Sequence, residues 1–352
     1  MSKSVKSFYS MADYEARKEK LGGNSSLWST KYYKGPGTST TQEGKEYFEH
    51  IDHHKKDFVW ADDQDGEWIA GRKEGQHIKY SDFINKELIL FPMADLASHV
   101  PSMVDGLKRG QRKVLFCSLK RNLVKEAFVT ELIGYASAHS AYSKQSLASI
   151  IIGTAQDFVG SNNISLLEPQ GLFGTRNLGG KDAGSTKDLY TRLPPVTRLI
   201  FPKDDNILLN YLNEDGQPSW YIPIIPMVLV NGGEDVGTGY VPNYNPRDII
   251  TNLKRMLNKE LVMPMDPWYK GFQGSLKKTS SKETGVTYTI TGVIEEVDCT
   301  KLKITELPVR CWTADYEHFL KSMYPHKDKQ KGKDTDKDKE PPFLEVYRSR
   351  CN

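Results

Sequence analysis

Apolar residues recur at helical spacing along the first half of the chain. The spacing predicts helices over residues 41–54, 83–91, 110–121, 130–141 and 146–159, with Pro92 ending the second of them. In the last, the predicted buried stripe consists of Leu147, Ile150, Ile151, Ala155 and Phe158. Beyond Trp220 β-branched residues become more frequent, and 286–294 and 301–306 are predicted strands. Helices followed by strands favour an α+β fold.

Composition narrows the class of protein. With 352 residues, 38% hydrophobic and 26% charged, the chain is typical of a folded protein of two or three domains. The longest apolar run, 220–230, is interrupted by Pro223 and Pro226 and falls short of the roughly 20 residues that span a bilayer. The four cysteines are scattered, which argues against a zinc site or a disulfide framework.

Charge is distributed unevenly, although the net charge is only +3. Residues 101–125 carry seven basic side chains against the single acid Asp105, and Arg112, Lys113, Lys120 and Arg121 are predicted to stay available on the helix surface. A basic helix followed by two more helices fits a helix-turn-helix, and the plain alternative, which this stretch alone favours, is three ordinary amphipathic helices with solvated lysines. By contrast, 327–340 mixes six lysines with five acids and is predicted to be a flexible, solvated insert.

A glycine-rich loop at 171–182 contains four glycines together with Arg176 and Lys181. Glycine lets a backbone approach phosphates without side-chain obstruction, so the loop suits nucleic acid. The same composition also serves in plain turns. The loop alone leaves both interpretations open.

Seven short sequence motifs resemble motifs of eukaryotic type II DNA topoisomerases, and they occur in the same order as in that family. They are FINKELILF (83–91), PSMVDGLK (101–108), GQRKVLF (110–116), FVGSNN (158–163), FPKDD (201–205), WYIPIIP (220–226) and ITELP (304–308). The resemblance covers nearly the whole chain, so the sequence is identified as a truncated and divergent breakage-reunion core of this family.

The resemblance implies a domain order. Residues 1–60 resemble the C-terminal part of a toprim domain, and 61–80 a shortened linker. Residues 81–203 resemble the winged-helix (helix-turn-helix) domain that binds and cleaves DNA. Residues 204–350 resemble a mixed α/β tower domain that includes the insert at 327–340.

Members of the family cut one duplex with paired tyrosines, pass a second duplex through the gap and reseal the first. The resemblance implies a duplex grip by Lys108, Arg112 and Lys113, with Arg176 and Lys181 beside the scissile phosphate. It places the aliphatic side chain that wedges between base steps at Val236, where valine is shorter than the usual isoleucine.

The chain departs from the family at the nucleophile. Counting from Gly180, Lys181 and Asp182, the family's arginine and tyrosine fall on Lys187 and Asp188. A carboxylate cannot form the phosphotyrosine, and lysine lacks the bidentate fork of arginine. Tyr190 is a weak candidate substitute, since a misplacement of about 1 Å can cost about 100-fold in rate. We therefore expect impaired catalysis.

Cofactors and partners follow from the resemblance. The intact family enzyme uses Mg²⁺ and ATP, but the acids that hold Mg²⁺ are expected before Ser7, so we expect neither cofactor within this sequence. An acidic turn at 62–67 fits no EF-hand spacing, and His50, His53 and His54 are interpreted as a solvated helix surface rather than metal ligands.

The expected partner is double-stranded DNA in the nucleus, bound by a homodimer or by a heterodimer with a full-length subunit, with no membrane association. Three hypotheses remain open: a non-catalytic DNA-binding remnant, an enzyme acting in trans with a full-length subunit, and a product without a stable fold.

Overall fold

The computed structural model describes residues 40–51, 55, 57–59, 77–139, 142–212, 217–235, 239–282 and 285–323, with the single positions 17, 20, 346, 348 and 349. Between Leu90 and Phe91 the chain divides into two compact units. In the described residues, no helix is both long and apolar enough to cross a membrane.

The described part of the first unit includes a helix and a short pair of parallel strands. Helix α1 (Thr41–Glu49) starts at a capping box, in which the Thr40 N–H donates to Glu43 and the Glu43 N–H donates to the Thr40 hydroxyl. It is shorter than the predicted 41–54, and residues 52–54 lie outside the described part. Strands β1 (Asp57–Val59) and β2 (His77–Lys79) pair in parallel. One helical turn (Tyr80–Asp82) and a π-helix (Phe83–Leu88) follow.

Helix α2 (Leu90–His99) corrects the prediction that Pro92 ends a helix. Pro92 is the third residue of α2, where a backbone N–H has no partner within the helix, so proline is tolerated. The interruption comes earlier, at Ile89, where the π-helix ends.

Three helices and a three-stranded antiparallel sheet form the centre of the second unit. The helices are α3 (Arg109–Lys120), α4 (Val129–Ala138) and α5 (Lys144–Ala155). Strand β5 (Tyr190–Arg192) lies between β3 (Ala127–Phe128) and β4 (Glu168–Gln170). Apolar residues from all three helices are completely buried in one core: Val114, Leu132, Leu147, Ile151 and Ala155. The three helices together with the antiparallel sheet confirm the α+β prediction.

The rest of the second unit consists of short helices and β-hairpins. The helices are α6 (Pro195–Ile200), a 3₁₀ turn (Asp204–Leu208), α7 (Met227–Val230), α8 (Pro246–Leu257) and α9 (Thr313–Ser322). The hairpins pair β6 (Gly233–Asp235) with β7 (Gly239–Val241), β8 (Ser275–Lys282) with β9 (Gly285–Thr291), and β10 (Val293–Asp298) with β11 (Lys301–Glu306).

Strand β11 confirms the prediction for 301–306, whereas the predicted strand 286–294 is two strands. Gly292 separates β9 from β10. A Cβ at Gly292 would lie 2.0 Å from the Glu306 carbonyl oxygen, so the close approach requires glycine.

Candidate nucleic-acid interface

Arg112, predicted to be available for DNA, is buried in α3. Its Nε donates to Asp105 Oδ2 at 2.6 Å, and its second terminal nitrogen donates to Asp105 Oδ1 and the Leu107 carbonyl, both at 3.0 Å. Asp105 is completely buried and also accepts from the Tyr221 N–H. The predicted exposure of Arg112 is therefore wrong, because its guanidinium completes an internal ion pair. Its role in binding DNA stays a prediction.

Lys113 is also buried, with Nζ 5.7 Å from the centroid of the Phe116 ring. Its predicted exposure is also wrong, because Lys113 lies on the side of α3 that faces the core. Burial also raises the pKa of the Cys117 thiol one turn further on. Lys108, just before α3, is half-buried. Exposed positive charge is found instead at the C-terminal end, on Lys120, Arg121 and Lys125.

The glycine-rich loop 171–182 has a backbone that side chains would obstruct. Gly171, Gly174, Gly179 and Gly180 have φ values of +105°, +102°, +60° and +81°. A Cβ at Gly174 would lie 2.6 Å from the Gly180 carbonyl oxygen, and one at Gly179 would lie 2.5 Å from the Trp312 ring. The glycines are therefore required by the shape of this loop.

Side-chain hydrogen bonds hold the loop closed. Gln156 Nε2 donates to the carbonyls of Phe173 and Gly180, at 2.9 and 3.0 Å. The backbone N–H of Thr175 donates to Asp182 Oδ1 at 2.8 Å, and the Thr175 hydroxyl donates to Asp182 Oδ2. Burial alone would raise the pKa of Asp182, but the two bonds from Thr175 outweigh it and hold that pKa below 3.8.

The Asp182 contact predicts a dependence of stability on acid pH. Because the folded state lowers the pKa of Asp182, its contribution is complete above the unfolded value of 3.8 and is lost as the pH falls through the folded value. We expect that in Asp182→Asn the free energy of unfolding depends less on pH below about 3.8 than in wild type, as measured by urea denaturation at a series of pH values. Asp157→Asn, at an exposed carboxylate, is the control. Identical profiles for wild type and Asp182→Asn would contradict the assignment.

Arg176 and Lys181, predicted to lie beside the scissile phosphate, have different environments. The Arg176 guanidinium donates to Glu306 Oε1 at 2.8 Å and to the carbonyls of Leu307 and Pro308. The same carboxylate accepts the backbone N–H groups of Gln273 and Gly274. Arg176 thus ties the loop to the end of β11, whereas Lys181 is exposed.

The position that counting assigns to the family's nucleophile lies in an exposed turn between the loop and β5. Lys187 and Asp188 are both exposed, and the Asp188 N–H donates to the Ser185 carbonyl at 2.9 Å. Tyr190 pairs with Phe128 and Gln170 across the sheet. Its ring packs on Phe128, with centroids 4.2 Å apart. Tyr190 is therefore a sheet residue, whereas Asp188 belongs to the turn that precedes the sheet.

Val236 lies outside the described residues. Strands β6 and β7 pair with each other as an antiparallel hairpin. Four residues that hold the loop and this hairpin were not predicted from the sequence: Gln156, Glu306, Arg310 and Trp312. The sequence signal for Glu306 was limited to its position in the motif ITELP (304–308).

The described residues provide no cluster of metal ligands. In that part of the chain, no group of three or more histidine, cysteine, aspartate or glutamate side chains is arranged to hold a metal ion. His50 is exposed, and its Nδ1 lies 3.1 Å from the Glu46 carbonyl oxygen. His53, His54 and 62–67 lie outside the described residues.

Comparison with known proteins gives concordant matches. Residues 99–343 match the sequence model of the DNA gyrase/topoisomerase IV family, and residues 1–74 match the C-terminal associated domain of TOPRIM. The chain is 57% identical over 353 residues to DNA topoisomerase 2 of Arabidopsis thaliana and 52% identical over 353 residues to that of Pisum sativum. The alignments cover 92% of this chain, but only 24% and 23% of those relatives.

A solved structure matches the fold as well. The crystal structure of the Plasmodium falciparum topoisomerase II DNA-binding, cleavage and re-ligation domain aligns with a TM-score of 0.74 at 43% identity. That alignment covers 92% of this chain and 48% of the other. The chain therefore belongs to the DNA gyrase/topoisomerase IV family of type II DNA topoisomerases. Within it the similar relatives are eukaryotic DNA topoisomerase 2 proteins, and the chain spans about a quarter of their length.

Proposed function

We propose that this chain binds duplex DNA as a cleavage and re-ligation core but does not itself form the phosphotyrosine link. The observation that carries the proposal is Asp188. Counted from the glycine-rich loop, the family's tyrosine falls on Asp188, an exposed carboxylate six residues beyond Asp182. A carboxylate repels a phosphate, and Tyr190 is packed against Phe128.

Duplex binding in this proposal depends on exposed cations around the winged-helix domain. Lys181 and Lys187 lie on either side of the turn that follows the glycine loop, and Lys120, Arg121 and Lys125 lie at the end of α3. Such side chains contact phosphates and carry no sequence information, as strand passage on any duplex requires. Lys108 joins them at the start of α3.

Salt dependence tests the phosphate contacts. Affinity for a fluorescent duplex, measured by anisotropy, is expected to fall steeply between about 50 and 200 mM salt. Lys181→Ala is expected to reduce the slope of log K against log salt by about 0.9.

The matched control is Lys301→Ala. Lys301 is an exposed lysine at the far end of the β10–β11 hairpin, and it pairs with Asp298. An equal slope for wild type and Lys181→Ala would remove Lys181 from the interface.

Covalent trapping tests the proposed loss of chemistry. Incubation with DNA and Mg²⁺ followed by SDS is expected to give no tyrosine-linked DNA. If an adduct appears, the proposal of an inactive core fails, and Tyr190→Phe shows whether that residue is responsible.

A partner in trans is the second candidate function. Helices α3, α4 and α5 share one buried core, so a full-length subunit would have a folded surface to pair with. In that assembly the full-length subunit would supply the ATPase, the Mg²⁺ site and one tyrosine, in the nucleus. Co-purification with a full-length subunit is the expected result, and monomeric behaviour in its presence would reject this candidate.

A further inference from the structure

Helix α8 ends in a short stretch of large apolar side chains that face water. The inner face of α8 packs the buried Ile249 against the core of the second unit. At the end of the helix, by contrast, Leu257 is 83% exposed and Leu261 is 90% exposed. Apolar side chains exposed together in this way are typical of a surface that binds a partner. We call this surface the α8 tip, and its five exposed apolar residues are Met256, Leu257, Leu261, Val262 and Met263.

A capping motif fixes the backbone of the α8 tip. The Lys259 N–H donates to the Met256 carbonyl at 3.1 Å, and the Glu260 N–H donates to the Arg255 carbonyl at 2.8 Å. These two bonds form a Schellman motif, which requires a left-handed residue just after the helix cap. Lys259 occupies that position with φ +60°, where glycine is the usual residue. A strained lysine on the surface indicates a role for its side chain.

A buried amide holds the segment after the cap against the helix. The side chain of Asn252 donates through Nδ2 to the Met263 carbonyl at 2.7 Å, and its Oδ1 accepts the Met263 N–H at 3.0 Å. Both polar groups of one side chain therefore pair with both backbone groups of one residue. The exposed apolar side chains have a fixed arrangement before any partner binds, which lowers the entropy cost of binding.

Positive charge accompanies the α8 tip. Lys254 and Lys259 are exposed, and Arg255 is half-buried. Lys254 precedes Leu257 by three residues, so the two side chains are neighbours on the helix surface. These three cations stand against one nearby acid, Glu260. The charge of the surface thus complements a partner that carries carboxylates beside its apolar side chains.

We propose that the α8 tip binds an acidic amphipathic segment of a partner protein. The apolar side chains of that segment cover Leu257 and Leu261, and its carboxylates pair with Lys254 and Lys259. An amphipathic helix is a common form of such a segment, and it places its apolar face on a preformed apolar surface. A nucleic acid fits less well, because phosphates would contact the lysines and leave the leucines in water. The inference goes beyond the proposed function, since it involves neither the glycine-rich loop nor a bound duplex.

Peptide binding to the full chain tests the proposal. The probe is a fluorescein-labelled synthetic peptide with leucines on one helical face and glutamates beside them, and its anisotropy is measured with unlabelled duplex DNA in excess. The duplex occupies the cations that bind DNA, so the remaining peptide binding reports a separate surface. We expect the peptide to bind, and a scrambled peptide of the same composition to bind at least about tenfold more weakly. A peptide with glutamine in place of glutamate is expected to bind about three- to tenfold more weakly.

The apolar contact is tested by replacing both leucines. Leu257→Ser combined with Leu261→Ser is expected to weaken peptide binding by at least about tenfold. The fold is expected to be unchanged, because both side chains are exposed. Ile207→Ser is the matched control, since Ile207 is 89% exposed and belongs to the 3₁₀ turn rather than to the α8 tip.

Lys259→Gly separates binding from stability. Glycine relieves the backbone strain at φ +60°, so the midpoint of urea denaturation is expected to stay the same or to rise. Loss of the ammonium group is expected to weaken peptide binding by about two- to fivefold. A purely structural role for Lys259 would not lower affinity in a variant that is as stable as wild type.

Each outcome supports the proposal or overturns it. Equal binding by wild type and the double leucine variant would overturn the apolar contact, and equal binding of the glutamate and glutamine peptides would overturn the acidic partner. Release of the peptide by duplex DNA would place it on the DNA-binding cations instead.

Self-association is the remaining alternative. If sedimentation equilibrium shows dimers of wild type that the double leucine variant does not form, a second copy of the chain covers the α8 tip and the proposed partner is rejected. If the double variant does not fold, Leu257→Ser alone and Lys259→Gly are compared in the same measurements. Failure of this inference leaves the proposed function intact, because duplex binding is measured separately by anisotropy.

Discussion

Replacing Asp105 by alanine is expected to lower the free energy of unfolding of the second unit by about 3–5 kcal/mol. The substitution leaves the Arg112 guanidinium buried without its carboxylate, and it also removes the acceptor of the Tyr221 and Leu107 N–H groups. Removing one partner of a buried pair costs more than the pair contributes, because the remaining charge cannot return to water.

Urea denaturation followed by circular dichroism measures this loss. The double variant Asp105→Leu with Arg112→Met is expected to recover part of it, since no charge then remains buried. Asp204→Ala, at an exposed carboxylate, is the control and is expected to change stability by less than about 0.5 kcal/mol. A loss below about 1 kcal/mol for Asp105→Ala would mean that the guanidinium reaches solvent in the variant.

The ion pair of Asp105 and Arg112 is a feature that the sequence pattern did not predict. The helical pattern located α3 within one residue at each end. It left Arg112 and Lys113 on the surface, because charged side chains are rarely buried unless paired. The partner of Arg112, Asp105, precedes the helix, and a periodic pattern within α3 contains no signal for a contact made outside it.

In the glycine-rich loop 171–182, too, some features could be predicted from the sequence and others could not. Its glycine content predicted a backbone that can approach phosphates, which stays a prediction, and the positive φ angles show that the conformation of the loop itself also needs these glycines. Its anchors could not be predicted, because Gln156 is 24 residues from Gly180 and Glu306 is 130 residues from Arg176 in the sequence. Contacts at such separations are set by the packing of helices and hairpins, whereas glycine requirements are local. The assignment of Asp188 to the family's tyrosine position was made by counting residues from Gly180, Lys181 and Asp182.

Replacing Gly174 by alanine is expected to lower the free energy of unfolding by about 3 kcal/mol and to weaken duplex binding. At φ +102° an L-residue is strained, and the new Cβ would lie 2.6 to 2.8 Å from backbone atoms of Gly180, which cannot rotate away. Backbone strain and overpacking each contribute on the order of 1–3 kcal/mol. Relief requires the two sides of the loop to separate, which breaks the bonds that Gln156 makes to Phe173 and Gly180.

Gly134→Ala is the matched control, because the same atom is added to an exposed helical glycine with nothing within 4 Å of the new Cβ. It is expected to raise stability by about 0.5–1 kcal/mol, the usual gain in a helix. Urea denaturation and anisotropy with the fluorescent duplex measure both effects. If Gly174→Ala keeps the wild-type free energy of unfolding yet binds the duplex more weakly, the loop changes conformation at little energetic cost. Its native conformation would then be needed for DNA binding and not for stability. If both stability and affinity stay at the wild-type values, the close approach of Gly174 to the Gly180 backbone is not required by the loop. Any phosphate contact proposed for residues 171–182 would then depend on Lys181.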